Sequence, residues 1–322
     1  MPGEMAQRSL PHKIVLAAAV FSYGAGAFCI LAQFFPRVSL FEMVVSFLPL
    51  VSLAGFVVTL ALFRYHPRAS LAGLFYATWV TLPFITFSKY ATPTRADCEP
   101  NACLTVIAAN LYKSEDALAR LAGLAVQNDA DLIALLEPPL SANESVYGRV
   151  FPDHPHMVHV DQSARASIPL SLISRRPFAS RRSEIPLRTG LRSYIQADLT
   201  GPWNGIRLVT THPHIPLTAP GLNTRNALLR AAGDAAEARD SFILMGDFNL
   251  TPWSPTFRAL PGRRAGDPRL LQTWPVSWGP LGIPIDHVLF SDDLELLESR
   301  LLPRTGSDHR AILAKFRRKA PE

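Results

Sequence analysis

Cysteine is scarce in this chain, 3 among 322 residues, and no second cysteine pair exists to complete a four-ligand zinc site, which counts against Cys98 and Cys103 as half of a metal site. Internal repeats and low-complexity tracts are also absent, which removes solenoid and disordered-linker architectures. Lysine and arginine are missing altogether from three apolar runs, Ile14 to Ala32, Phe41 to Phe63 and Leu71 to Phe87. Each comes close to the roughly 20 residues needed to cross a bilayer core.

The whole chain is 48% apolar, these runs concentrate the excess in the first ninety residues, and the remainder has the composition of a globular domain with many prolines. Glu42 sits at the edge of the second run, and Pro49 and Pro83 lie inside the second and third, where membrane helices tolerate them better than soluble ones do. The alternatives are a cleaved signal peptide for the first run and buried core helices for the others, but no polar mature segment separates the first run from the next. The expectation is a membrane anchor over residues 1–90, with three transmembrane helices at about 14–32, 41–63 and 71–87. Arg8 and Lys13 precede the first run, Arg64 and Arg68 fill the second connection, and only Arg37 marks the first. Positive flanks stay in the cytoplasm, which orients a multi-pass protein of a bacterial inner membrane with the chain beyond Phe87 outside. Lys89 and Arg95 reduce the contrast. Cys98 and Cys103 bracket a polar loop in the linker 91–103, where an oxidising compartment would let them pair. The formal charge of +6 favours anionic partners, whether phosphate esters, anionic lipid surfaces or nucleic acid.

From Leu104 onward the pattern becomes short strands separated by helices and proline-rich loops. Leu104 to Asn110 reads as a buried strand ending on an amide, Ser114 to Gln127 as a helix, and Asp131 to Glu137 as a second buried strand stopped by Pro138 and Pro139. Further strands are expected at Pro169 to Ser174, Arg192 to Leu199, and Ile206 to Thr211, the last leading into His212 and His214. Asn223 to Arg239 has helical character, with Arg225 and Arg230 available to solvent or substrate. Asp153, His154, His156 and His159 are expected on a solvated loop around Pro152 and Pro155, since no regular ligand face runs through two prolines.

The stretch from Ser241 to Asn249 carries four apolar residues and then Gly246, Asp247, Phe248 and Asn249. In an extended chain Asp247 and Asn249 share a face. A carboxylate that can take a proton from water or hold a metal then stands beside an amide that can donate to a phosphoryl oxygen. An Asx-type turn is the plainer alternative. Ile285 to Phe290 is another strand, with Asp286 facing opposite to His287, and Ser307, Asp308 and His309 lead into the last strand.

Taken in order, Asn110, Glu137, His212, Asp247 with Asn249, Asp286, and Asp308 with His309 each stand at or next to a strand end. This set resembles the endonuclease/exonuclease/phosphatase superfamily, the DNase I-like fold, over residues from about 104 to 317. The resemblance implies a four-layer α/β sandwich of two mixed sheets with helices outside, and a metal-dependent hydrolase of phosphate esters using Mg²⁺ or Mn²⁺. It makes Glu137 the principal metal ligand, with Asn110 beside it and Asp308 near the metal. Asp247 would orient or deprotonate water, Asn249 would hold the phosphoryl group, and His309 would contact the scissile phosphate with Asp286 fixing its tautomer. His212 would be a second phosphate-binding or acid group. The anchored arrangement looks like the VanJ-like branch, membrane-bound members linked to teicoplanin resistance and to dephosphorylation of a polyprenyl pyrophosphate carrier, which points to a lipid-linked substrate. Phospholipid phosphodiesterase activity of the sphingomyelinase kind and DNA hydrolysis stay open. Two other classes compete. One is an inactive membrane-anchored binding domain, and the other a Zn²⁺ or Cu²⁺ protein using His154, His156, His159, His212 and His214.

Overall fold

The computed structural model describes residues 2–99, 102–160, 168–184 and 193–319, with side chains from residue 11 onward. Arg192, expected to open a strand, lies outside the described residues, as does the side chain of Arg8. The chain forms two compact units.

The first unit holds α1 (Pro2–Phe34), α2 (Ser39–Ser46), α3 (Leu48–Phe63) and α4 (Pro67–Ile85), together with Leu217–Ala219 and Pro252–Arg258. Small residues let its helices approach: an added Cβ at Gly55 would meet the Ala77 side chain at 3.6 Å, the close packing that apolar helices use where no hydrophobic gain drives them together. Tyr23 and Thr59 share a hydrogen bond of 2.7 Å between α1 and α3. Trp253 is buried among Cys29, Ala32, Val45, Leu48 and Val80. The buried Glu42 accepts a 2.7 Å hydrogen bond from the Ser254 hydroxyl, so its carboxylate has a polar partner inside an apolar cluster.

Three continuous spans were expected, and the helices differ. Among the described residues, Pro11–Phe34 is the one unbroken helix long and apolar enough to cross a membrane. The second run is two helices bent by 71°, because Pro49, near the start of α3, has no N–H to give to the preceding turn and its ring crowds that turn's carbonyl. The third run forms α4, which at 19 residues falls short of the required apolarity.

The second unit is built from β1 (Tyr90–Ala91), β2 (Leu104–Asn110), α5 (Glu115–Gln127), β3 (Leu132–Leu136), α6 (Glu144–Val150), β4 (His156–Val160), β5 (Leu170–Ser174), β6 (Phe178–Glu184), β7 (Tyr194–Leu199), β8 (Ile206–Thr211), α7 (Ala219–Glu237), β9 (Ser241–Asp247), β10 (Arg263–Ala265), β11 (Asp286–Phe290), β12 (Leu294–Leu301) and β13 (Ile312–Arg318). They make a seven-stranded sheet in the order β1-β10-β11-β9-β8-β7-β6 and a six-stranded sheet in the order β12-β13-β2-β3-β5-β4. Both are mixed, with β2–β3 and β8–β9 parallel at their centres.

Alternation decides the layers. Leu104, Val106 and Ala108 of β2, Leu132, Ala134 and Leu136 of β3, Ile243 and Met245 of β9, and Val288 and Phe290 of β11 meet in one core between the sheets. The intervening Ile107, Ala109, Ile133 and Leu135 face outward and pack under Leu118, Leu121 and Ala125 of α5. Ser114 caps α5, accepting from the Ala117 N–H at 3.1 Å. On the far side, Arg207 of β8 turns outward, pairs with Asp198 at 2.8 Å, and donates to the Ala235 carbonyl of α7 at 3.1 Å. The result is the expected four-layer α/β sandwich. Each inter-sheet Val, Leu, Ile, Met or Phe side chain stabilises the fold by about 1.5–3 kcal/mol relative to exposure.

The histidine segment is not the solvated loop its prolines suggest. His156 and His159 lie on the edge strand β4, His159 Nδ1 is 2.9 Å from the Ser171 hydroxyl, and the buried His154 places Nε2 2.8 Å from the Ala130 carbonyl. Burial lowers the proton affinity of His154. These are structural contacts, and among the described residues the histidines at 154, 156 and 159 form no group able to hold a metal. Four further strands, β1, β6, β10 and β12, were not expected.

Candidate active site

The inter-sheet faces that carry the apolar core also carry the polar residues that close it. Asn110 continues the series Leu104, Val106, Ala108; His212 continues Ile206, Leu208, Thr210; Asp247 continues Ile243, Met245; and Asp286 precedes Val288, Phe290. The period of two therefore delivers four polar side chains to the same face, one step past the last apolar layer.

They meet there. Asn110 Nδ2 donates to Asp247 Oδ2 at 3.1 Å, and His212 Nδ1 lies 3.2 Å from the Asp247 carbonyl and 3.5 Å from its carboxylate. His212 Nε2 is 2.9 Å from Glu137 Oε1, so both of its ring nitrogens face oxygen acceptors. His309 Nδ1 bonds Asp286 Oδ2 at 2.9 Å, and its Nε2 points to Asp247 Oδ2 at 3.8 Å and Asp308 Oδ1 at 4.0 Å. Asp308 Oδ2 accepts from the Trp274 indole at 3.0 Å.

Charge follows from this packing. Burial raises the proton affinity of Asp247, and the neighbouring Asp286 carboxylate adds to it, against the pull of His212 and His309. The His212 hydrogen bond holds Glu137 below the usual carboxylate range in spite of partial burial. Burial opposes the charged form of His309, yet the Asp286, Asp247 and Asp308 carboxylates outweigh it and raise the imidazole to about 10.

Asn249 is placed differently from the sequence expectation. The strand ends at Asp247, and Asn249 adopts a left-handed φ of 48°. Its backbone N–H donates to Asp247 Oδ1 at 2.9 Å, an Asx turn, while its side-chain amide donates to the Pro213 carbonyl at 3.1 Å. Turn and site coexist here, because the carboxylate that closes the turn keeps its second oxygen toward Asn110 and the imidazoles.

Several supporting residues carried no sequence signal. The Ser307 hydroxyl donates to the Asn110 carbonyl at 2.7 Å and accepts from the His309 N–H at 3.1 Å, joining the segments that carry Asn110 and His309. Arg225 was expected toward solvent or substrate; it is fully buried and donates to the Asn249 carbonyl at 3.2 Å, whereas Arg230 is exposed. His287 faces away from Asp286 as expected. Its Nε2 lies 2.7 Å from the Leu250 carbonyl and its Nδ1 accepts from Arg264 Nε at 2.9 Å. Burial and the Arg264 charge keep that imidazole well below the usual range, so neutral His287 can accept from Arg264 while donating to Leu250.

Gly246 sets the approach of β9 to β8. Its φ is +153°, and a Cβ there would fall inside the Thr211 carbonyl. Gly246→Ala is expected to destabilise the fold by about 3 kcal/mol or more, through backbone displacement in a packed sheet. A fall in the denaturant midpoint checks this.

Asp247, Asp286 and His309, all buried, bring their ligand atoms within 4.8 Å of one another, a group able to hold a metal ion. Asp286 Oδ1 and Asp308 Oδ1 are buried with no hydrogen-bond partner. Unpartnered buried carboxylate oxygens fit a hard divalent cation, which prefers oxygen ligands.

Comparison with known proteins agrees with this arrangement. Residues 107–309 match the endonuclease/exonuclease/phosphatase family. An endonuclease/exonuclease/phosphatase from Beutenbergia cavernae DSM 12333 superposes with a TM-score of 0.54 at 18% identity, over 67% of this chain and 72% of that one. Humanized D. rerio TDP2 gives 0.56 at 17% identity over 67% and 99%. The 3′ phosphatase NExo from Neisseria, solved with a product DNA hairpin, gives 0.51 at 19% over 66% and 98%. At these identities the structures establish a shared fold. No curated protein matches the sequence.

Proposed function

Since the chain belongs to the endonuclease/exonuclease/phosphatase family, whose members hydrolyse phosphate ester bonds, we propose that it is a divalent-metal-dependent phosphoesterase acting on a lipid-linked phosphate such as a polyprenyl pyrophosphate. The observation that carries this reading is the convergence of Asn110, His212, Asp247 and the Asp286–His309 pair at the strand ends.

Asp247 would accept the proton of the attacking water. Its burial and the Asp286 charge make it more basic than an exposed carboxylate, which favours that transfer. His309 keeps a proton through the neutral range under the influence of Asp286, so its Nε2–H can donate to a phosphoryl oxygen as negative charge develops there. Asn249 would hold the phosphoryl group, exchanging the Pro213 carbonyl for the ligand. His212 would bind phosphate or act as an acid. Glu137, Asn110 and Asp308 would hold the cation, Mg²⁺ or Mn²⁺, with the Asp247, Asp286 and His309 group beside them. A bound divalent ion would neutralise charge on the phosphoryl oxygens and lower the pKa of water.

The lipid part of the reading rests on the first unit. Pro11–Phe34 is long and apolar enough to anchor the chain, and its basic N-terminal flank would leave the following residues outside a bacterial inner membrane. The Cys98–Cys103 disulfide suits an oxidising compartment. A C-terminal reporter fusion active only in the cytoplasm would contradict this location.

A second reading, nucleic acid hydrolysis, is favoured by the DNA named with the D. rerio TDP2 and NExo structures. The full chain in detergent, given Mg²⁺ or Mn²⁺, is expected to release inorganic phosphate from a polyprenyl pyrophosphate, to lose this activity with EDTA, and to leave sphingomyelin and duplex DNA largely intact. Cleavage of DNA without phosphate release from the lipid would replace the lipid reading with the nuclease one.

A further inference from the structure

The loops that hold the site share one unusual property. Seven large apolar side chains of the second unit are strongly exposed among the described residues, and five of them, Tyr112, Leu140, Ile215, Trp278 and Leu281, lie on those loops; the others are Val126 and Leu270. Isolated exposed apolar residues are ordinary. A concentration around one polar site is not.

Hydrogen bonds to site residues tie down the loops of Tyr112, Ile215, Trp278 and Leu281, and Leu140 is placed by its position after Glu137. The Tyr112 N–H donates to Asn110 Oδ1 at 3.0 Å, and the next N–H, of Lys113, donates to the Glu137 carbonyl at 2.8 Å. Leu140 stands three residues beyond Glu137, after the rigid Pro138-Pro139 pair, and is 66% exposed. Ile215, 56% exposed, follows Pro213, whose carbonyl receives the Asn249 amide at 3.1 Å. Trp278 and Leu281 belong to the turn Val276–Leu281, tied down by the Val276 N–H on the Asp308 carbonyl at 2.9 Å and by the Trp274 indole on the Asp308 carboxylate at 3.0 Å.

From this placement we infer that the mouth of the site is an apolar subsite that receives the hydrocarbon of an amphiphilic phosphate ester while the phosphate enters between Asp247 and His309. The inference rests on the phosphoesterase reading above and adds the side chains that select the substrate. A nucleic acid at this mouth would call for cations facing each phosphate; Tyr112 and Trp278 carry rings on which a base could stack, but Leu140, Ile215 and Leu281, the larger share of the five, carry none. A hydrocarbon needs only apolar area, and it gains affinity without any directional bond. The exposed Lys113, next to Tyr112, supplies the positive charge suited to an anionic head group entering the same mouth.

The experiment compares farnesyl pyrophosphate with methyl pyrophosphate, both below aggregating concentrations, on the detergent-solubilised full chain. Calorimetry reads Kd and phosphate release reads kcat/KM. The farnesyl compound is expected to bind at least about tenfold tighter. The triple variant Leu140→Ser, Ile215→Ser, Leu281→Ser is expected to lose about tenfold of that preference and to leave the methyl compound unchanged. All three side chains are exposed, so the fold should tolerate the change; an unchanged melting curve checks it. Val126→Ser with Leu270→Ser is the control and should preserve the preference. Equal binding of the two compounds by the wild type overturns the inference, and so does a preference that survives the triple variant. If the triple variant instead loses only its binding to substrate-free anionic vesicles, the loops dock on a lipid surface and the subsite idea fails. Should neither compound be hydrolysed while the chain-length preference in Kd responds to the variant, the subsite stands and the pyrophosphatase reading alone is lost.

Discussion

Replacing Asp247 with asparagine should lower kcat for phosphoester hydrolysis by about a thousandfold or more, with little change in melting temperature. The carboxylate is 2% exposed and is the point on which the site converges: Asn110 donates to it, the His212 and His309 rings approach it, and the Asn249 N–H closes a turn on it. Asparagine keeps the shape and one oxygen, so the Asx turn survives. What it lacks is a group able to take a proton from water, and its amide nitrogen would face the Asn110 amide, donor against donor. Removing a buried charge that Asp286 already disfavours offsets part of the lost hydrogen bonding. Stability should therefore stay nearly level while chemistry collapses. Single-turnover kinetics beside thermal melts check this, and an active, well-folded Asp247→Asn would remove Asp247 from the proposed mechanism.

Replacing Asp286 with asparagine should cost about a hundred- to ten-thousandfold in kcat and move the pH dependence of His309. Asp286 Oδ2 accepts from His309 Nδ1 at 2.9 Å, fixing both the ring and the tautomer that leaves Nε2 toward Asp247. Burial alone would push the imidazole down, and the carboxylates lift it to about 10. With Asp286 neutral, burial regains ground, so deprotonation of His309 should fall well below that value. The linkage has a definite sign. Because the folded pKa is raised, the stability this pair contributes is fully present below the unfolded histidine value of about 6.5 and is lost as pH rises through about 10. Asp286→Asn should erase that alkaline dependence. Imidazole resonances titrated in both proteins measure the shift directly, and an unaltered His309 titration would contradict the role given to Asp286.

The strands that carry the site were legible because both faces of their central members are buried. Leu104 to Asn110 matches β2 residue for residue, β3, β8 and β9 were each marked by an apolar run leading into a polar group, and β11 by Asp286 and His287 leading into Val288 to Phe290. The edge strands were not legible. In β6, Phe178–Glu184, the central five residues are exposed and include Arg181 and Arg182, so no apolar alternation marks it. β4 was masked by Pro152 and Pro155 just before it, although its pairing with β5 begins at His156. The helical unit erred in the other direction. Hydropathy saw one run from Phe41 to Phe63, whereas the backbone breaks at Phe47, because a sum over a window does not register the missing N–H of one proline.

The site shows the same division. The sequence by itself determined the chemical inventory, four carboxylates, two imidazoles and two amides at or next to strand ends, because the period of two places every second residue on a known face. It also placed Asp286 and His287 on opposite faces of β11, as found. Only the tertiary structure decided which of these groups touch. Asn110 and Asp247 are 137 residues apart in sequence, and His309 reaches Asp286 only because β11 lies beside β9 in one sheet while β13 lies beside β2 in the other. Alternation gives a side chain its face but not its neighbour, since the neighbour depends on strand order and on the register between strands. For the same reason Arg225, read as a surface cation, is a buried donor to the Asn249 carbonyl. A guanidinium leaves water only where a particular carbonyl is waiting for it, and that carbonyl is supplied by another part of the fold.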